Sequence, residues 1–135
     1  MSVQFDALGI IVEDMPSSLA FYRLLGLDIP VGAEVEGHVE LNLARGLRLM
    51  LDTVEIVQSF SDWEPASGGH RMGLAFLCSS PAEVDNQYSA IVAAGYRSHL
   101  APFDAPWNQR YATVLDPDGN PVDLFAPLGL VESTG

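Results

Sequence analysis

The chain has 135 residues, 48% of them apolar, with 18 acidic residues against 6 basic ones and a net charge of −12. That length suits one compact domain or two very small modules, with enough apolar material for a core. The acidity argues against nucleic acid and anionic membranes, which are held by Lys and Arg, and the mean field favours a neutral or cationic small molecule.

Residues 5–12 are an apolar, β-branched run and predict a buried strand. A helix follows in "EDMPSSLAFYRLLG". Asp14 caps it, Pro16 fits its first turn, Gly26 stops it, and Leu19, Phe21, Tyr22 and Leu25 form its apolar side. Three short strands are expected next, at 27–31, 38–44 and 47–53, the last two joined by the tight-turn pair "RG". The stretch 54–69 reads as a linker carrying Phe60 and Trp63.

The same order then recurs. Residues 72–78 predict a second buried strand, with Cys78 as a packed, inert thiol. Cys78 is the only cysteine, so no internal disulfide or thiolate metal cluster is available. "SPAEVDNQYSAIVAAG" predicts a helix with a capping box from Ser80 and Glu83, Pro81 at its first position and Gly95 at its end. Val84, Tyr88, Ile91 and Val92 line one face. Strands are expected at 96–100, 110–115 and 121–126, the last two linked by the turn "DPDGN". The pattern is therefore β-α-β-β-β twice, with an offset of about 65 to 73 residues. The organisation read from it is a first module over 1–53, a linker over 54–69, a second module over 70–128 and a tail over 129–135.

No stretch of about 20 apolar residues is present, and the N-terminus lacks a basic region followed by a long apolar run. A cytoplasmic protein is the expectation.

A duplicated βαβββ unit with "FYRLLGL" in its first helix and "DPDGN" before its last strand resembles the vicinal oxygen chelate superfamily. That superfamily holds glyoxalase I, extradiol dioxygenases, fosfomycin resistance enzymes and bleomycin resistance proteins. The resemblance covers residues 3–128. It implies an α+β fold in which curved sheets form cups around a cavity, commonly in a dimer whose chains exchange modules. The family's metal enzymes place ligands early in the first strand and in the last strand of each module, positions matched here by Ala7, Met50, Gly73 and Asp123. Alanine, methionine and glycine stand where two histidines and a glutamate would serve. One carboxylate alone holds a divalent ion weakly, so no metal or other cofactor is expected. His70 lies at an odd offset from Gly73 and points to the other strand face, while His38 and His99 fall at strand starts or turns, where surface roles are expected.

The non-metal pattern is similar to the bleomycin resistance branch, which binds drugs without transforming them. "PWNQR" matches a "PW.R" segment of that branch. "IVEDM", "DTVE", "GGHR", "AAGY" and "QRYATVLDPDGNPVDLFAPL" resemble its mitomycin-binding resistance proteins. Strand alternation puts Asp123 with Pro121 and Phe125 on the inward side, and Arg48, Met50 and Asp52 likewise in the first module. Phe103, Trp107 and Tyr111, with Phe60 and Trp63, supply rings to stack on a flat molecule. Asp52 and Asp123 accept hydrogen bonds from its amines, and Arg48 or Arg110 donates to a carbonyl; the competing role for Arg110 is a structural ion pair, and for Phe60 and Phe103 it is packing. The expected function is sequestration of an aromatic or quinone-like antibiotic by a homodimer, without turnover. The alternatives are a metal-independent enzyme of this fold with Asp123, its pKa raised, as acid or base, and an interaction module whose cavity is filled.

Overall fold

The computed structural model describes residues 4–62, 64 and 73–129. They fall into two compact units that divide after Gly69. Trp63 and His70 lie outside the described residues.

The first unit contains β1 (Ala7–Val12), α1 (Met15–Leu24), β2 (His38–Asn42), β3 (Arg48–Thr53) and α2 (Val54–Gln58). Its sheet has the order β1-β3-β2, with β1 parallel and β2 antiparallel to the central strand. α1 starts where the sequence predicts. The Asp14 carboxylate accepts from the Ser17 N–H at 3.0 Å and the Ser17 hydroxyl at 2.5 Å. The helix ends in a left-handed Gly26 (φ 88°), with the Leu27 N–H bonded back to the Tyr22 carbonyl at 3.3 Å. Met15, Leu19, Phe21 and Tyr22 are buried on it, against the side of the sheet formed by Val39, Leu41, Leu49 and Leu51. Phe21 and Tyr22 meet edge to face, with ring centroids 5.0 Å apart. The β2–β3 hairpin turns through Arg45 (φ 66°) and Gly46 (φ 80°), a primed turn that matches strand twist.

The second unit contains β4 (Leu74–Leu77), α3 (Pro81–Ala93), β5 (Ser98–Ala105), β6 (Gln109–Leu115) and β7 (Pro121–Pro127). Its sheet has the order β4-β7-β6-β5. The Ser80 hydroxyl accepts from the Glu83 N–H at 3.1 Å, and Gly95 (φ 103°) ends α3. Val84 and Ile91 of α3 pack on Ala112, Val114, Val122, Leu124 and Ala126. Burying four or five such aliphatic side chains supplies most of the stability of a unit this size, at about 1.5–3 kcal/mol for each fully buried large one. The "DPDGN" turn is closed by Asp116 itself. One carboxylate oxygen accepts from the N–H groups of Asp118 (2.9 Å) and Asn120 (2.8 Å), the other from the Asn120 side-chain amide (2.9 Å).

Four expectations are corrected. No strand forms at 27–31, so the first sheet has three strands. Pro30 has no N–H to give to a ladder, and its carbonyl accepts from the Arg23 guanidinium at 2.8 Å while Arg23 also pairs with Glu34. The first strand of each unit is a sheet edge rather than a buried core strand: on β1 only Val12 is buried, and on β4 Leu77 is 68% exposed. Val92 lies on the solvent side of α3, 37% exposed. The stretch after residue 53 begins as a helix: the Thr53 hydroxyl caps α2 by accepting from the Ile56 N–H at 3.2 Å, and Val57 is buried. Gly37 permits this, since a Cβ there would lie 2.3 Å from Ile56.

Candidate functional site

Each sheet has one face turned to its helix and one face free of it. The helix-free face of the second sheet carries two cross-strand rows. One row runs Leu77, Phe125, Tyr111, Phe103, and the next runs Ala75, Asp123, Thr113, Leu100. Alternation puts these side chains opposite Ala112, Val114, Val122 and Leu124.

Asp123 sits at the middle of this face. One carboxylate oxygen accepts from the Tyr111 hydroxyl at 2.5 Å and the other from the Thr113 hydroxyl at 2.7 Å. Burial, reinforced by the Asp123 carboxylate, pushes the Tyr111 phenol up to about 12, so it stays a proton donor across the physiological range. The Tyr111 ring belongs to a three-ring cluster. Trp107 lies edge-on to it at 5.3 Å, and Phe103 is 6.2 Å from Tyr111 and 6.3 Å from Trp107. Such contacts each contribute about 0.5–1.5 kcal/mol beyond burial.

The hairpin between β5 and β6 is what brings Trp107 there. Ala105 pairs with Gln109, leaving Pro106, Trp107 and Asn108 as the loop. Asn108 takes φ 65°, a left-handed conformation Asn tolerates, and its N–H returns to the Ala105 carbonyl at 3.0 Å. The loop therefore folds Trp107 back beside its own strands, where its indole N–H donates to the Gln109 side-chain oxygen at 2.9 Å. The ring remains 54% exposed and available to a ligand.

The helix-free face of the first sheet is charged. Its rows are Ile11, Asp52, His38; then Gly9, Met50, Glu40; then Ala7, Arg48, Asn42. His38 bridges two carboxylates, with Nδ1 at 2.5 Å from Asp52 and Nε2 at 2.9 Å from Glu40. Arg48 donates to Glu40 at 2.7 Å and to Asp6 at 2.6 Å. Glu40 and Asp52 together raise the His38 pKa above its ordinary value.

The structure thus brings Phe103, Trp107, Tyr111 and Asp123 together in one unit, and Arg48, Met50 and Asp52 onto one face of the other. One proposed ligand contact faces the other way. Arg110 shares the opposite face with Ala112 and reaches α3, donating to Asp85 at 2.9 Å and to Asp104 at 3.0 Å. It is a structural ion pair between sheet and helix, directed away from the Tyr111 side. Phe60 follows α2 in the first unit and is 76% exposed. Trp63 lies outside the described residues. Thr113 is the group sequence reasoning passed over, and His38 was expected only in a surface role. Period-two spacing puts His38 with Glu40, but only the strand register sets it against Asp52.

Among the described residues, those at the family's ligand positions do not fit a divalent metal centre. Ala7 and Gly73 carry no donor, and a Cβ at Gly73 would stand 3.1 Å from Pro121, a tight approach. Both oxygens of Asp123 are engaged by hydroxyls. Among the described residues, no group of three or more His, Cys, Asp or Glu is arranged to hold a metal ion. The hydroxyl pair takes one lone pair on each Asp123 oxygen and leaves the others open to a donor. Cys78 is half-buried, and burial raises its thiol pKa, so it is a poor nucleophile. No helix among the described residues is long and apolar enough to cross a membrane.

Known proteins place this architecture. A glyoxalase/bleomycin resistance protein/dioxygenase family enzyme from Burkholderia phytofirmans superposes with a TM-score of 0.76 at 20% identity, covering 93% of this chain and 100% of its own. A glyoxalase/bleomycin resistance protein/dioxygenase from Nocardioides is 26% identical, with a TM-score of 0.66 over 95% of this chain and 85% of its own. A lactoylglutathione lyase from Agrobacterium tumefaciens is 22% identical, with a TM-score of 0.65 over 93% and 94% of the two chains. No curated protein matches the chain. The model of the glyoxalase/bleomycin resistance protein/dioxygenase superfamily matches residues 4–124. With that match and two βα sheet units of this topology, the chain belongs to the glyoxalase/bleomycin resistance protein/dioxygenase superfamily.

Proposed function

We propose that this protein binds a flat aromatic or quinone-like antibiotic and lowers its free concentration stoichiometrically, in the manner of the mitomycin-binding and bleomycin resistance proteins. The family joins enzymes and resistance proteins, so membership alone does not choose between them. The observation that carries the choice is the Phe103–Trp107–Tyr111 cluster beside Asp123, with its tryptophan half exposed at a hairpin tip. Rings offer a planar, electron-poor guest a stacking surface, and the remaining Asp123 lone pairs accept from its amine groups. Binding in a homodimer in the cytoplasm completes the proposal. A metal-independent enzyme with Asp123 as acid or base is the weaker reading, because the partners of that carboxylate are two neutral hydroxyls and the rings beside it suit stacking.

The test is a tryptophan fluorescence titration with mitomycin C, bleomycin and simple quinones. Quenching that saturates at one ligand per site, with unchanged ligand recovered afterwards, supports the proposal. Trp107→Ala raises Kd by up to about tenfold, the loss expected of a stacking contact near 1.4 kcal/mol. If Trp107→Ala binds every candidate as well as the parent, the stacking site is wrong; many equivalents of chemically altered ligand point instead to an enzyme. Sedimentation as a monomer throughout counts against the dimer.

A further inference from the structure

The strands of the described residues carry the carboxylates Glu40, Asp52, Asp104 and Asp123. Glu40 pairs with Arg48, Asp52 with His38 and Asp104 with Arg110. Asp123 has no basic partner among the described residues; its hydrogen bonds come from the Tyr111 and Thr113 hydroxyls. A hydroxyl donor brings no charge, so the Asp123 carboxylate stands without a counter-ion, and each of its oxygens keeps a lone pair. The side chains around it on the helix-free face, Ala75, Leu100, Phe103, Tyr111 and Phe125, are uncharged. Arg110 of β6 is on the opposite face and is taken by Asp85 and Asp104. Tyr111 joins the uncompensated charge to the rings: its hydroxyl is 2.5 Å from Asp123, and its ring centroid is 5.3 Å from that of Trp107. Carboxylate and rings thus lie side by side, and Trp107 remains 54% exposed.

We propose that Asp123 is the counter-anion for a cationic ligand: the guest is a fused aromatic ring system bearing a protonated amine, whose N–H groups donate to the free Asp123 lone pairs while its rings lie on the Trp107–Tyr111 cluster. This rests on the binding function above, and it narrows the ligand class to planar organic cations. Asp123, Tyr111 and Trp107 all belong to the second unit. A neutral amine gives Asp123 a hydrogen bond but leaves its charge uncompensated; a protonated amine supplies the hydrogen bond and the opposite charge together. The ring faces act in the same direction, because the quadrupole of Trp or Tyr attracts a cation. The net charge of −12 draws a cation and repels an anion.

The experiment uses two fluorescent dyes of similar outline, 9-aminoacridine, a cation at neutral pH, and the neutral acridone. The parent binds 9-aminoacridine about tenfold more tightly than acridone, and added salt weakens the cationic dye while acridone holds. Asp123→Asn keeps an acceptor for a hydroxyl but removes the charge, and it brings 9-aminoacridine to the acridone level. Glu36→Gln removes an exposed charge of the first unit and leaves both dyes as in the parent. Independently of any variant folding, the Asp123 carboxylate carbon resonance of the parent moves when 9-aminoacridine is added. Equal binding of both dyes overturns the counter-anion and leaves the aromatic site standing. A preference that survives Asp123→Asn, or that Glu36→Gln reduces as much, also overturns it, since bulk charge then accounts for the preference. So does a carboxylate resonance that ignores the cationic dye. Binding of neither dye overturns the aromatic site and the counter-anion with it.

Discussion

The two helix-free faces satisfy their central carboxylates in opposite ways. In the second unit Asp123 is held by two neutral hydroxyls, Tyr111 and Thr113, and bordered by rings. In the first unit Asp52 is held by His38, whose donor capacity depends on pH, within a chain of charges running through Glu40 and Arg48 to Asp6. Neutral hydroxyl donors keep their protons through the physiological range. A charged, titrating donor makes a site that changes within the physiological range. The lesson is that two aspartates on helix-free sheet faces, Asp52 and Asp123, carry different chemistry set by the neighbouring strand.

The comparison breaks most severely at Asp123. Asp123→Ala leaves the Thr113 hydroxyl, only 3% exposed as a residue, without its acceptor and frees the Tyr111 phenol. A loss of about 1–3 kcal/mol is expected in urea unfolding at unchanged m-value. A variant as stable as the parent would show that water replaces the carboxylate. Arg110→Met comes next. It removes both links from β6 to Asp85 and Asp104 and lowers Tm modestly, and high salt narrows the gap from the parent because these pairs reach solvent. Ligand binding is unchanged in Arg110→Met, which a role at the aromatic face would not allow.

His38→Gln has the smallest effect on stability, within about 0.5 kcal/mol, because the imidazole is partly solvent-exposed and screened. The folded-state pKa is raised by Glu40 and Asp52 above 6.5. The contribution is therefore complete below pH 6.5 and disappears as pH rises through the folded-state value. Unfolding curves of parent and variant should converge above that range. A gap that grows with pH would reverse the assignment. Tyr111 sharpens the contrast at the alkaline end. Its phenol is pushed from 10.0 to about 12, so stability present below pH 10 is lost between pH 10 and 12. An absorbance titration of phenolate should show one late tyrosine that Tyr111→Phe removes.

Local chemistry was legible wherever it depends on residues within one turn of each other. Asp14 and Ser80 cap the helices the sequence assigns them, Gly26 and Gly95 end them, and "DPDGN" closes on Asp116. The alternation that puts Asp123 opposite Val122 and Leu124 was also readable, as was the one that separates Arg48, Met50 and Asp52 from Leu49 and Leu51. The failed strand at 27–31 depended on Arg23, which lies a helix end away and takes the Pro30 carbonyl. Trp107 read as a residue of a polar loop; the left-handed Asn108 and the Ala105–Gln109 pair turn that loop into a hairpin tip packed on Phe103 and Tyr111.

What the amino-acid order determined by itself is periodicity, caps and turns, because each is a contest among neighbouring backbone groups and short side chains. What the tertiary structure decided is partnership: which hydroxyls meet Asp123, that His38 meets Asp52 and that Arg110 meets α3. Those pairings are set by strand register and sheet order. Both are chosen by the burial of whole faces, so a residue's chemistry depends on groups tens of positions away along the chain.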